Sequence, residues 1–466
     1  MITSSQPKIS ANFQEKTPVS SSSHVIVIGS GIAGLLAAQV LTDYFDQITI
    51  IERDRFPENP QPRKGVPQSY HPHVLLVQGL LIIEKLFPGI KDELARQGAS
   101  SIDWTEDFQW FLMGSWAPRF PSGITSRACT RNLLEATMRQ YVIKNQAVKL
   151  LEASQVTSLL TNTDNSAITG VRVRNANKQE IEIPAQLVVD TSGRESKAPK
   201  WLHNLGYEVP QETTVKSFLG YSSRWYQTPS SKTLDYKMLY VMPKAPEYPQ
   251  GGVIHQVENG RLIVNLIGVC RNYPPTDEAG FLGFAKSMET PEMYEAIKDA
   301  KPLTPIYGYQ RTENRWRHYE RLSRLPENFI VLGDAACAFN PVYGQGISVA
   351  ALGVLALDEC LKKQQRRSDK TLVGLAKRFQ KKLAKVNTIP WLMATGDDFR
   401  WPNTEGKRPN FMTRLMQLYL DKVMLVATNN AEVHKLLVEV VNLLKPPTAL
   451  FKPFILVHII KLVLKH

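Results

Sequence analysis

The chain after its N-terminal tail opens with two short apolar runs that flank a glycine-rich segment. Residues 25–28 (VIVI) are continuously apolar, which is typical of a strand buried in a parallel sheet. The segment GSGIAG follows at 29–34, and apolar residues then recur at helical spacing over 35–41. A second apolar run at 48–51 ends at Glu52. This order predicts a strand, a tight turn, a helix and a second strand, as in a doubly wound α/β domain.

A similar pattern returns near residue 330. Residues 329–332 form another short apolar run, and Asp334 follows it. Pro341, Gly344 and Gly346 then predict a glycine loop, and a helix rich in small residues begins at Ile347. Two helices are therefore predicted to begin at glycine loops. One extended ligand could use both, with one helix N-terminus at each of its ends.

Between and beyond these regions the pattern changes. Residues 126–142 have helical spacing, and 155–189 alternate as strands joined by polar turns. Residues 210–330 contain strand-like runs and many aromatic residues without a strand–helix rhythm, which predicts a mostly antiparallel sheet. The predicted fold class is α/β, with a Rossmann-like domain, an interleaved β-sheet domain and a helical C-terminus. The predicted boundaries are a flexible tail at 1–23, a discontinuous nucleotide-binding domain at 24–205 and 320–360, a β-sheet domain at 206–319 and a helical region at 361–466.

The first glycine segment has the spacing G-x-G-x-x-G. Gly29 would allow the turn, Gly31 would let the backbone approach a pyrophosphate, and Gly34 would allow close packing of helix on strand. Glu52, 18 residues after Gly34, is placed to accept hydrogen bonds from an adenosine ribose. The motif does not separate NAD from FAD, but an acid at position 52 disfavours NADP at this site.

The charge distribution and the cysteine spacing narrow the possible partners and the cellular compartment. The net charge of +13 is concentrated at 360–385, where ten basic residues face one acid, and Leu375, Phe379 and Leu383 recur there at helical spacing. This stretch is interpreted as a basic surface helix, with attraction to anionic lipid as an alternative. No nucleic-acid-binding signature accompanies it, so no nucleic-acid partner is expected. The four cysteines lack C-x-x-C spacing, which indicates a reducing, cytoplasmic compartment.

Three further features allow two interpretations each. Arg127 and Arg131 lie near a helix start, where a cation does not suit the helix dipole, so either a phosphate partner or a salt bridge would explain them. His71 and His73 either line a pocket or hold a loop, and no metal site is expected because a third ligand is not visible. The apolar C-terminus, residues 451–466, would form a helix that docks on the protein or lies in a membrane interface.

Three motifs in this order resemble those of FAD-dependent monooxygenases of the para-hydroxybenzoate hydroxylase fold. They are GSGIAG with Glu52, DTSGRES at 190–196, and GDAACAFNPVYGQG at 333–346. The stretch at 62–89 also resembles a bacterial subgroup that is similar to polyprenyl-methoxyphenol hydroxylases and squalene epoxidases. Cys337 stands where that family usually has a histidine. No W-x-W-x-I-P motif of the flavin halogenases is present, and no motif typical of geranylgeranyl reductases.

The resemblance implies an FAD-binding domain of the glutathione-reductase type, with part of 60–125 lining the substrate pocket. It places the pyrophosphate at the first loop, the ribose at Glu52, the ribityl chain at Asp334 and the flavin ring beside residues 344–347. The cofactor-binding residues expected on this basis are Gly29, Ser30, Gly31, Ile32, Ala33, Gly34, Glu52, Arg53, Arg131, Val156, Asp334, Pro341, Gly344, Gly346 and Ile347.

The chemistry implied by the resemblance is oxygen transfer. NAD(P)H would reduce FAD, O₂ would add to form a flavin C4a-hydroperoxide, and one oxygen atom would pass to a hydrophobic small molecule. No protein nucleophile is required; the only side chains considered for the catalytic pocket are His71 and His73. The alternatives are a reductase or desaturase that does not use O₂, and a non-catalytic prenyl- or lipid-binding carrier of the same fold. Peripheral membrane contact through the C-terminal helix stays open.

Overall fold

The computed structural model describes residues 23–228, 234–367 and 371–464. The expected flexible tail lies outside the described residues, apart from Ser23. In the described part, the α-helices are α1 Ile32–Leu41, α2 Val77–Leu86, α3 Ile90–Arg96, α4 Arg131–Ile143, α5 Ala198–Asn204, α6 Glu278–Lys286, α7 Glu292–Ile297, α8 Gly346–Gln365, α9 Leu375–Asp398, α10 Phe411–Ala427, α11 Ala431–Val441 and α12 Pro453–Val463. The strands are β1 His24–Ile28, β2 Gln47–Ile51, β3 Ser100–Asp103, β4 Phe108–Leu112, β5 Ser115–Trp116, β6 Thr125–Ala128, β7 Val148–Leu151, β8 Gln155–Thr161, β9 Ile168–Arg174, β10 Glu180–Pro184, β11 Leu187–Asp190, β12 Glu212–Val215, β13 Gly220–Gln227, β14 Met238–Val241, β15 Gln250–Val257, β16 Arg261–Gly268, β17 Tyr307–Tyr309, β18 Asn314–Arg317, β19 Phe329–Val331 and β20 Cys337–Ala338.

A five-stranded parallel sheet in the order β19-β11-β1-β2-β7 forms the base of the fold. Its apolar strands are buried in one core with side chains of α1, α2, α4, α8 and α9. The register pairs Ile28 with both Asp190 and Ile51, and Asp190 with Val331. The carboxyl ends of four strands therefore meet at one edge, which is where ligands bind in open α/β sheets.

The second large sheet has seven strands in the order β17-β13-β16-β15-β14-β4-β5. It is antiparallel as predicted, except that β14 pairs with β4 in parallel. Two of its strands, β4 and β5, come from residues 108–116 rather than from 206–319. The segment before residue 125 therefore contributes to this sheet.

The C-terminal region is helical, as the pattern predicted. The basic stretch divides between the end of α8 and α9, and Leu375, Phe379 and Leu383 are buried on the inner face of α9. Helices α10, α11 and α12 share a hydrophobic core with β4, β6 and α2. No helix among residues 23–228, 234–367 and 371–464 is long and apolar enough to cross a bilayer.

Candidate active site

One cavity of about 1610 Å³ runs between the parallel sheet, the seven-stranded sheet and the C-terminal helices. A pocket for a single drug-sized ligand has about 300–1,000 Å³. The cavity therefore has room for a large cofactor and a second small molecule. Of the fifteen residues predicted to bind a cofactor, thirteen line it: Gly29, Gly31, Ile32, Ala33, Glu52, Arg53, Arg131, Val156, Asp334, Pro341, Gly344, Gly346 and Ile347.

The first glycine loop is shaped by backbone contact. Gly29 has a φ of +94°, and a Cβ there would lie 3.1 Å from the Cα of Ser192. A Cβ on Gly34 would lie 2.0 Å from the carbonyl oxygen of Gly29, so only glycine lets α1 start this close to β1. Ser30 and Gly34 do not line the cavity; they support the loop from behind. The free N–H groups at the start of α1 are the part of the loop suited to a phosphate.

Glu52 is buried at the end of β2 and is held by several donors. Its Oε2 accepts hydrogen bonds from the backbone N–H and the hydroxyl of Ser30, at 3.0 and 2.9 Å. Its Oε1 accepts from the N–H of Asp54 at 3.1 Å and lies 3.1 Å from Arg63 Nη1. Burial opposes ionisation, but Arg63 and these hydrogen bonds outweigh it and lower the pKa of Glu52. The carboxylate is therefore charged and fixed in place.

Arg63 is a site residue that the sequence analysis did not find. Its guanidinium is buried and contacts Glu52, Asp54 at 2.8 Å and Glu135 at 2.8 Å. These partners are distant in sequence, since Glu135 lies on α4. The only signal was a basic residue in the loop between β2 and α2, and it could not be distinguished from a surface charge.

Arg131, the first residue of α4, lies beside the first glycine loop. A Cβ on Gly31 would lie 3.6 Å from its Nη2, and its Nε is buried without a hydrogen-bond partner among the described residues. Its other contacts are weak: Nη2 lies 3.4 Å from Glu135 and Nη1 lies 3.5 Å from His73 Nε2. Arg131 therefore forms the expected salt bridge, with Glu135, and it also lines the cavity, while a phosphate partner stays a prediction. Arg127, in β6, does not line the cavity.

The segment that leads into the second glycine loop lies beside the first loop, since a Cβ on Gly333 would lie 2.9 Å from the Cβ of Ala33. Asp334 lines the cavity, and its carboxylate has no hydrogen-bond partner within the described part of the chain. A Cβ on Gly346, where α8 begins, would lie 4.0 Å from Asp334 Oδ1. Gly344 has a φ of +63°, and the side-chain oxygen of the neighbouring Gln345 is buried without a described partner. An unpaired acceptor and a helix N-terminus are thus available at this end.

Both candidate histidines line the cavity. Ser223 Oγ donates to Asn265 at 2.7 Å, so it must accept from His71 Nδ1 at 2.8 Å. This leaves His71 Nε2 as an acceptor, without a partner among the described side chains, and burial lowers the pKa of His71 to about 4. His73 Nδ1 lies 3.0 Å from the carbonyl oxygen of His71; burial and Arg131 lower its pKa to about 3. Both imidazoles are neutral at pH 7.

A buried polar network joins the second loop to the end of α9. Tyr343 Oη lies 3.0 Å from Asp397 Oδ2 and 2.8 Å from Asp398 Oδ1. Burial raises the pKa of Asp398 to about 7, with Asp397 adding to the effect and hydrogen bonds opposing it. The side chains that donate to Asp398 are Tyr343, Asn340 at 3.0 Å, Ser217 at 3.0 Å and Asn314 at 2.6 Å. The sequence analysis missed this network because its members come from four separate segments.

The far end of the cavity is apolar. Aromatic and sulfur-containing side chains of the seven-stranded sheet, and of the segment just before β4, lie on one side of this end. Helices α9, α10 and α11 lie on the other side. The apolar side chains are Trp104, Phe108, Trp110, Met238, Tyr240, Met242, Val253, Ile267, Leu392, Met393, Met412, Met416, Leu420, Met424, Leu437, Val440, Val441 and Leu450. This end suits a hydrophobic molecule, and methionines let such a wall adapt its shape.

Comparison with protein-family models finds no match. The chain is 29% identical over 386 residues to the protein Rv3254 of Mycobacterium tuberculosis, covering 80% of each. It is 23% identical over 351 residues to kynurenine 3-monooxygenase of Salinispora arenicola, covering 72% of each.

Several solved structures have a similar fold over nearly the whole chain. The flavin-dependent brominase Bmp2 matches with a TM-score of 0.67 at 13% identity, covering 95% of this chain and 100% of Bmp2. A flavoprotein/dehydrogenase from Cytophaga hutchinsonii matches with a TM-score of 0.67 at 16% identity, covering 95% and 98%. Pseudomonas aeruginosa PqsL in complex with 2-aminobenzoylacetate matches with 0.58 at 16%, covering 81% and 97%. The chain therefore has the α/β fold of FAD-dependent monooxygenases and halogenases.

Proposed function

We propose that this protein is an FAD-dependent monooxygenase that hydroxylates or epoxidises a hydrophobic small molecule, with NAD(P)H as reductant. The observation that carries the proposal is the single cavity, which joins two glycine loops at one end to an apolar chamber at the other. A dinucleotide and a hydrophobic molecule can meet inside it. The similarity to flavin-dependent proteins over 95% of the chain supports FAD as the dinucleotide.

The residues present fit FAD at specific atoms. The start of α1 and the guanidinium of Arg131 would meet the pyrophosphate, since the N–H groups of α1 and Arg131 Nη2 offer donors beside Gly31. Glu52 would accept from the ribose, and the partner-free carboxylate of Asp334 would accept from the ribityl hydroxyls. The N–H groups of α8 at Gly346 would face the flavin ring, where a helix N-terminus favours negative charge. When bound, FAD would supply the redox chemistry with NAD(P)H and O₂.

His71 is the side chain best placed to orient a substrate. Its Nδ1 is committed to Ser223, so its Nε2 can accept a hydrogen bond from a hydroxyl or amine in the cavity. Because the imidazole is neutral at pH 7, it orients such a group without adding a charge. The apolar end would hold the remainder of the substrate and exclude water from the reaction.

The proposal is tested by isotope labelling. Purified protein should be yellow and retain FAD through gel filtration, and NAD(P)H oxidation should increase with lipophilic substrates. Under ¹⁸O₂, the product should gain one labelled oxygen atom. A product formed without label would indicate a reductase or desaturase, and a halogenated product in the presence of bromide would indicate a halogenase. A colourless protein that does not take up FAD would leave only the carrier function.

A further inference from the structure

Two C-terminal helices present apolar side chains to solvent. Phe411, Leu415 and Leu418 on α10 are exposed, as are Leu456, Ile460 and Leu464 on or just after α12. We name these side chains the α10–α12 face. The two helices pack against each other, and the rings of Tyr419 and Phe451 stack beside them with centroids 4.6 Å apart. The exposed residues therefore lie on two neighbouring helices.

Helix α12 docks on the protein by one face and exposes apolar side chains on the other. Ile455 is buried in the core that α10 and α11 share with the β-sheet domain, which docks the helix on the protein. His458 fastens it further, since its Nε2 lies 3.0 Å from the side-chain nitrogen of Asn430. The opposite side of the same helix carries Leu456 and Ile460, which are exposed. A helix docked by one face normally has a polar outer face, so the outer leucines and isoleucine need a partner.

Basic side chains surround the α10–α12 face. Residues 407–464 contain eight lysines and arginines against three acids. Lys407, Arg414, Lys452 and Lys461 are exposed and form no ion pair within the described part of the chain. The acid of α10, Asp421, is instead paired with Arg400. An apolar surface among unpaired cations is complementary to an anionic lipid interface.

A second copy of the chain would be a poorer partner for this face. A two-fold interface places the same patch on both sides, so the unpaired cations of one copy would lie against those of the other. Repulsion between like charges opposes that arrangement, whereas anionic headgroups neutralise each cation.

The cavity wall also includes side chains that are exposed to solvent on α9 and α10. Met412 and Met416 on α10 line the apolar end of the cavity and are also exposed to solvent, and so is Leu392 on α9. An apolar molecule dissolved in a bilayer could therefore enter between α9 and α10 without crossing water.

We infer that the α10–α12 face docks this protein on the surface of an anionic membrane, and that a lipophilic substrate reaches the cavity from that side. Docking is supported by the exposed apolar residues and the unpaired charges, and it does not depend on the proposed function. The access route also rests on the proposed function, because it assumes that the cavity holds a lipophilic substrate.

Vesicle flotation tests the docking without any substrate. The full-length, FAD-saturated protein should float with vesicles of phosphatidylcholine and phosphatidylglycerol, and less with phosphatidylcholine alone. At about 1 M salt, where the screening length falls to about 3 Å, flotation should decrease. The double substitution Leu418→Glu and Ile460→Glu should lower the partition coefficient about tenfold or more, because each change removes apolar contact and adds repulsion.

Matched variants separate this effect from misfolding. Val373→Glu introduces one such charge at an apolar residue that is 58% exposed, compared with 57% for Ile460, and should leave flotation unchanged. Arg414→Glu with Lys461→Glu alters only exposed cations, so it should reduce flotation while FAD content stays the same. Absence of flotation on the anionic vesicles, or equal loss in Val373→Glu, would overturn the proposal. So would a dimer that the α10 and α12 substitutions dissociate, since the face would then join two copies. Flotation by a protein that takes up no FAD would overturn the proposed function alone.

Discussion

The carboxylate of Asp334 has no role in holding the described part of the protein together. It faces the cavity without a partner among the described residues, beside the first turn of α8. Asp334→Ala should weaken FAD binding about tenfold or more, since a hydrogen bond to a charged acceptor contributes about 1.5–3 kcal/mol. FAD fluorescence titration of the apoprotein measures this. Asp235→Ala, at an exposed residue, should not change the affinity, and an unchanged affinity in Asp334→Ala would contradict the site assignment.

Asp398 makes folding stability depend on pH. Burial raises its pKa from about 3.9 in the unfolded chain to about 7 in the folded protein. Between about pH 4 and 7 the folded state keeps a proton that the unfolded state has released. Stability should therefore fall as pH rises through this window, by up to about 1.4 kcal/mol per pH unit, and level off above about pH 7.

Urea unfolding of Asp398→Asn and of the unsubstituted protein measures this contribution. His71 and His73, whose pKa values are lowered by burial, give the opposite slope in both proteins, so the difference between the two isolates Asp398. The asparagine variant should be less stable at about pH 5, and its deficit should shrink by about pH 8. Parallel pH curves for the two proteins would show that Asp398 does not titrate in this range.

At the scale of elements, the contact between β1 and α1 depends on Gly34. An added methyl group would lie 2.0 Å from the Gly29 carbonyl oxygen and 2.8 Å from Thr191 Oγ1, and both are held by the sheet. Gly34→Ala should cost about 2 kcal/mol or more of unfolding free energy and reduce FAD binding, because α1 must move away from the loop. Gly283→Ala in α6 is the matched control. No atom lies within 4 Å of its Cβ, so alanine should stabilise that helix by about 1 kcal/mol.

The elements around Gly34 could be predicted because each depends on local signals. An apolar run, a glycine spacing and a terminal acid are adjacent in sequence, and strand, loop and Glu52 formed where they indicated. The face of α10 could not be predicted in the same way. Its spacing of apolar residues indicates a buried stripe, but Leu415 and Leu418 are exposed, and only the last part of the helix, at 423–427, contributes buried residues to the core.

At the scale of the whole molecule, the site is assembled from pairings that no local pattern contains. Strand β4 joins the sheet by parallel pairing with β14, more than a hundred residues away, and this brings Trp110 to the apolar chamber. Arg63 reaches Glu135 across 72 residues of sequence, and Tyr343 reaches Asp397 across 54. The resemblance to known motifs located the end of the cavity that fits the cofactor. For the opposite end it implied only that part of 60–125 lines the pocket, and it gave no information on the C-terminal helices that complete that end.

This division between the two ends predicts that they can be altered separately. Val441, at the end of α11, lines the apolar chamber and is only partly buried, so Val441→Trp should place the indole inside the cavity. FAD content and the rate of NAD(P)H oxidation without substrate should stay unchanged, because the glycine loops lie at the other end. The yield of oxygenated product should fall about tenfold or more, since the substrate and the indole compete for one space. Val209→Trp, on the surface, should change neither quantity. Loss of FAD from Val441→Trp would show instead that the C-terminal helices and the cofactor loops form one cooperative unit.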